Sequence, residues 1–102
     1  MRVIVVNSGS SSIKYETFEL EGLVATAKGL LERIGAQESR LKHQWLTLSG
    51  KWEEIVETRR IGGHSEGFSF ILELSNKTRP GAVPEIFAVG HRVVHGGEKF
   101  SR

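Results

Sequence analysis

The chain has 102 residues, 38% of them apolar and 25% charged, and its 14 Lys+Arg against 12 Asp+Glu leave a net charge of +2. That length fits one small domain, the composition excludes a disordered or collagen-like chain, and the near balance of charge argues against a basic stripe built for nucleic acid. No cysteine is present, which excludes a disulfide framework, a thiolate zinc site and a thiol nucleophile, and no apolar run is long enough for a signal-peptide core or a membrane span, so a cytoplasmic protein with no membrane partner is expected.

Val3, Ile4, Val5 and Val6 are an uninterrupted β-branched run, the pattern of a strand buried on both faces, and it stops at Asn7. Asn7, Ser8, Gly9 and Ser10 are turn formers in series, with Gly9 free to take positive φ, which predicts a hairpin. Residues 12–20 alternate in part, with Ile13, Tyr15 and Thr17 on one face and Ser12, Lys14 and Glu16 on the other, giving a second strand. Glu21 and Gly22 make the next turn. Residues 24–34 read as a third strand; residues 27–33 alone also pass as a helix, but Gly29 would cost a helix interior about 1 kcal/mol.

Residues 40–48 put Leu41, His43, Trp45 and Thr47 on one face of a fourth strand, and Ser49-Gly50 turns it into a fifth over residues 51–59. Such a meander can leave one face to solvent, which suits Arg40, Lys42, Glu53 and Glu57. After Gly62-Gly63 the period becomes helical: Phe68, Ile71, Leu72 and Ser75 form a stripe with Phe70 and Leu74 beside it, Ser65 is placed to cap the start, and Glu66 complements the positive end of the dipole. Pro80, Gly81 and Pro84 predict an end near Asn76, and Ile86–Val89 is a short buried strand. The order implies an α/β fold, a mixed sheet with a packed helix. Residues 96–102 bring polar loop chemistry with no closing element, which reads as a cut.

Two segments carry chemistry. In residues 7–14 a serine- and glycine-rich turn can expose successive backbone N–H groups, the hydroxyls of Ser10 and Ser12 add donors, and Lys14 adds a positive charge, a set suited to phosphate. Ser12 and Lys14 share a strand face, which Ser10 joins if the strand begins early. Ordinary hairpin chemistry accounts for the same residues, and the spacing is not that of a Walker loop. In residues 90–97, Arg92 and Val94 share a strand face, so a guanidinium able to grip a carboxylate or phosphate at two points neighbours an apolar wall. Gly96 and Gly97 permit close backbone approach. A surface ion pair is the plain alternative for Arg92. His91 and His95 lie about 13 Å apart in a strand, too far to share a metal. His43 and His64 read as strand-face and loop histidines.

Taken together, Asn-x-Gly-Ser-Ser-Ser-x-Lys after the first strand and Gly-His-Arg-Val-Val-His-Gly-Gly some 75 residues on resemble the acetate kinase family, as do residues 27–35 and 97–100 between and beyond them. The resemblance implies the actin-like and sugar-kinase-like (ribonuclease H-like) fold, with residues 1–102 a partial N-terminal domain and the C-terminal nucleotide domain absent. It also implies ATP-dependent phosphoryl transfer to acetate giving acetyl phosphate and ADP, with ATP and Mg²⁺ as cofactors and a homodimer for the full-length enzyme. Carried over by the motifs, Asn7 sits at the phosphate and magnesium end, Ser10 and Ser12 line the phosphoryl path, and Lys14 addresses ATP phosphate. Arg92 holds the carboxylate and the transferring group, and Val94 walls the acetate methyl. A propionate kinase, and a non-catalytic binding or assembly module of the same fold, stand as alternatives. A nucleic-acid partner has only the pI and Trp45 and Trp52 in its favour and is not expected.

Overall fold

A computed structural model describes residues 1–78 and 86–89. Six strands form one sheet: β1 (Arg2–Ser8), β2 (Ser12–Glu19), β3 (Val24–Glu32), β4 (Ser39–Leu46), β5 (Trp52–Arg59) and β6 (Ile86–Val89), with helix α1 (His64–Thr78) between the last two. The order across the sheet is β5-β4-β3-β2-β1-β6, with β1 to β5 antiparallel and β6 parallel to β1. A parallel neighbour needs a crossover rather than a turn, and α1 lies within that crossover. The expected α/β class, the meander and the strand reading of residues 24–34 are therefore found.

Strand alternation decides which side α1 covers. Register aligns Ile4 with Thr17, Ile13 with Leu31, and Leu31 with Leu41, so one face carries these side chains and receives Phe70, Ile71 and Leu74 from α1; Ile34 and Ile61 close the core from the loops. Each fully buried Ile, Leu or Phe is worth about 1.5–3 kcal/mol, so this cluster supplies the main driving force. The glycine that favoured a strand over a helix has a second reason to be there: a Cβ on Gly29 would run into the hydroxyl end of Tyr15, which crosses it from β2, and would stand 2.6 Å from the Lys42 carbonyl.

Several local expectations are corrected. The buried stripe of α1 is Gly67, Phe70, Ile71, Leu74 and Ser75, turned from the expected one, so that Phe68 and Leu72 are half-buried. The helix starts at His64, which places Ser65 inside its first turn; Glu66 serves the start instead, its Oε1 accepting the Gly62 N–H at 3.0 Å. Glu53 and Glu57 pair with Trp45 and Leu41, putting them on the helix side of the edge strand. There Glu57 meets Lys77 at 3.7 Å, while Arg59 meets Glu73 at 3.3 Å and lies over the Phe70 ring.

The far end of α1 is joined to the sheet by a buried polar chain. Thr78 Oγ1–H donates to the Leu74 carbonyl at 2.9 Å, leaving its oxygen to accept from His43 Nε2–H at 3.2 Å; His43 Nδ1 then accepts from the Tyr15 hydroxyl. His43 is fully buried and stacks between Tyr15 and Trp45. Burial pushes the Tyr15 hydroxyl well above its usual range and the His43 imidazole down to about 4, and both shifts keep the chain of donors neutral.

Between the unfolded-state value near 6.5 and the folded value of about 4, the unfolded chain binds the extra proton. The stability held by neutral His43 is therefore whole above pH ~6.5 and falls as pH drops toward 4, by at most about 3 kcal/mol. Urea denaturation at pH 7 and pH 4.5 should show this loss, and His43→Gln should flatten the dependence; equal slopes in the two proteins would contradict the assignment.

Candidate functional site

The turn between β1 and β2 collects the phosphate-type residues. Register pairs Asn7 with Lys14 and Ser8 with Ile13; because successive side chains alternate, Ser8 and Ile13 point to the helix face while Asn7, Ser12 and Lys14 share the open one. Asn7 and Lys14 are exposed and Ser12 is half-buried, while Ser10 lies exposed in the turn itself, since β2 begins only at Ser12. Gly9 does not take the expected positive φ. Its small size matters for another reason, as a Cβ there would stand 2.9 Å from Ser12 Oγ.

Three hydrogen bonds fix the turn. Gly9 N–H donates to the Ser12 carbonyl at 2.8 Å, Ile34 N–H donates to the Ser11 carbonyl at 2.9 Å, and His64 Nε2–H donates to the Gly9 carbonyl at 2.7 Å. The β3–β4 loop and the start of α1 thus both hold it, and Gly35 N–H ties those two supports together through the Ile61 carbonyl at 2.8 Å. His64, expected in a loop, is instead the first residue of α1. Its partner is 55 residues away, and only the adjacent Gly-Gly at a helix start hinted that this end of α1 packs closely on something.

Lys14 also borders a shallow concavity of about 250 Å³ on the open face, with Glu16, Lys28, Leu30, Lys42 and Gln44 around it. Lys42 lies 3.9 Å from Glu54 and Lys28 stands over the Trp52 ring. Lys14 has no ion-pair partner among the described residues, so its charge is available to an added anion. Trp45 is half-buried on His43 and Trp52 is exposed at the edge, which is packing and not a row of stacking platforms.

Arg92 and Val94 lie outside the described residues, as do His91, His95, Gly96 and Gly97. β6 is described, and its last residue, Val89, pairs with Val6, so it ends beside the residue that precedes Asn7. Ligands of open α/β sheets gather beyond the carboxyl ends of such strands. No group of three His, Asp or Glu side chains able to hold a metal occurs among the described residues. Asn7 can offer one carbonyl oxygen; Mg²⁺ commonly keeps its waters and is held through one or two protein groups plus substrate phosphates, a demand that this turn fits and an all-protein cage does not. No helix among the described residues is long and apolar enough to cross a membrane.

The placement of the turn depends on Gly67. A Cβ there would stand 2.8 Å from Leu31 Cδ2 and 3.4 Å from Ile13 Cδ1, so its absence lets the first turn of α1 rest on the root of the β1–β2 hairpin.

A family model described as the acetokinase family matches residues 2–102. The chain is 56% identical to the acetate kinase of Syntrophobacter fumaroxidans over 105 residues, covering 98% of this chain and 25% of that protein. It is 46% identical to the acetate kinase of Brachyspira hyodysenteriae, covering 100% of this chain and 26% of that one. Among solved structures it is similar to Porphyromonas gingivalis acetate kinase (37% identity, TM-score 0.68, 98% of this chain and 25% of that chain). It is also similar to a propionate kinase from Francisella tularensis (26% identity, TM-score 0.69, 94% and 23%). The chain spans about a quarter of the length of the curated relatives it matches.

Gly67→Ala should lower stability by about 1–3 kcal/mol through overpacking, less the ~1 kcal/mol that alanine returns in helix propensity. It should also speed amide exchange in residues 9–12. A gain in stability by denaturant titration, with unchanged exchange at the turn, would show that the helix does not rest there.

Proposed function

The chain belongs to the acetokinase family, and from that premise we propose that it supplies the phosphate and substrate half-site of an acetate kinase. The reaction is the reversible transfer of the ATP γ-phosphoryl group to acetate, giving acetyl phosphate and ADP. The observation that carries this reading is the gathering on one face, at the end of β1 and beside the end of β6, of Asn7, Ser12 and Lys14, the last with no ion-pair partner among the described residues.

In-line phosphoryl transfer asks a protein chiefly for alignment and for neutralisation of spread-out charge. Lys14 meets the phosphate charge, and the Ser10 and Ser12 hydroxyls and the turn amides donate to its oxygens. Asn7 faces the metal side, where bound Mg²⁺ supplies further charge neutralisation. Arg92 grips the acetate carboxylate and the transferring group, and Val94 bounds the methyl. No side-chain nucleophile is needed. The adenosine pocket and the remaining catalytic groups belong to other parts of a polypeptide of the relatives' length, which works in the cytoplasm as a homodimer. Residues 1–102 alone have no turnover.

Propionate is the second reading, favoured by the likeness to the Francisella propionate kinase. One methylene is worth about 1–3 kcal/mol of discrimination, so comparing kcat/KM for acetate and propionate decides between them.

In the whole polypeptide carrying this sequence, ATP, Mg²⁺ and acetate should yield acetyl phosphate. Lys14→Met should lower kcat/KM by about 100-fold or more, the scale of one lost charged donor at a transferring phosphoryl group, with the fold intact. Wild-type turnover in that variant would remove Lys14 from the mechanism.

A further inference from the structure

We propose that His64 is a positioning residue for phosphate binding: by gripping the Gly9 carbonyl it turns the Ser10 amide N–H toward the anion. The inference rests on the phosphate-turn reading above and adds a residue and a donor to it.

One peptide plane links the histidine to the amide. The C=O of Gly9 and the N–H of Ser10 belong to the same trans peptide unit, so they point in opposite directions and rotate together. His64 Nε2–H takes the carbonyl end at 2.7 Å, which aims the amide end away from α1. That N–H has no protein acceptor among the described residues, in a turn where Gly9 N–H is engaged by the Ser12 carbonyl. A free donor held in one direction on an exposed turn is what an oxyanion needs, and without the histidine the plane is free to swing. The Ile34 bond to the Ser11 carbonyl fixes the Ser11–Ser12 peptide plane by the same rule, so the turn is held from behind on both sides of Ser11.

The anchor is stiff. His64 is the first residue of α1, half-buried, and one turn ahead of Gly67, which seats the helix on Leu31 and Ile13. A carbonyl only accepts, so Nε2 carries the proton in this contact and Nδ1 does not substitute for it.

Two variants of equal polarity separate this role from packing. A glutamine amide nitrogen reaches the place of the imidazole Nε2, whereas an asparagine amide nitrogen reaches only that of Nδ1. In the whole polypeptide, His64→Gln should keep the KM for ATP within about threefold of the parent. His64→Asn should raise it about tenfold or more, with the KM for acetate unchanged in both and similar melting temperatures. In amide spectra, ATP·Mg²⁺ should shift the Ser10 N–H in the parent and His64→Gln and leave it nearly unmoved in His64→Asn. Equal ATP KM values in the two variants, or parallel losses of both KM values and of stability, would overturn the proposal. Lys14→Met run alongside separates the causes: if it also leaves the ATP KM unchanged, the phosphate-turn reading itself fails, and if it raises that KM while His64→Asn does not, only the role of His64 fails.

Discussion

The close seat of α1 on the sheet at Gly67 is the contact on which the rest of the architecture turns. A helix normally keeps its distance from a sheet because side chains intervene; here a hydrogen replaces a side chain directly above Leu31 and Ile13, and the axis comes down at that point. One turn earlier His64 is brought within reach of the Gly9 carbonyl, and at the other end Thr78 is brought to His43. Apolar burial by Phe70, Ile71 and Leu74 supplies the energy, while the two histidine contacts fix where along the strands that energy is spent.

Those two histidines work under opposite conditions. His43 is enclosed, stacked between aromatic rings and held neutral by desolvation, so it behaves as part of the core and makes the core sensitive to acid. His64 is half open and bonds to the backbone of a turn, where it acts on direction more than on stability. The ion pairs along β5 and α1 lie at the solvent surface, where water and salt screen them; they hold the edge strand in place without deciding the fold.

Much of this was legible in the sequence because it depends on short-range rules. The β-branched run of β1, the alternation of Ile13, Tyr15 and Thr17, the Ser49-Gly50 turn and the strand at Ile86–Val89 all follow from period and turn chemistry. That Ser12 and Lys14 share a face was legible for the same reason, since they are two apart on a strand, whereas the pairing of Asn7 with Lys14 follows from the register of the closed hairpin. What sequence reading missed depends on distance. The stripe of α1 was misplaced because Gly67 looks like a weak helix residue until the sheet beneath it is known, and Ser65 looks like a cap until the helix is seen to start one residue earlier. His64 could not be matched to Gly9 across 55 residues by any local pattern, nor His43 to Thr78 across 35.

The central claim is that the β1–β2 turn receives a phosphate through Lys14 and its backbone amides. A crystal structure of the whole polypeptide with ATP and Mg²⁺ tests it most directly: the account places a phosphate oxygen within hydrogen-bond distance of Lys14 Nζ and of the Ser10 N–H, on the face that Asn7 and Ser12 share. Phosphates bound elsewhere, with Lys14 turned to solvent, would contradict it.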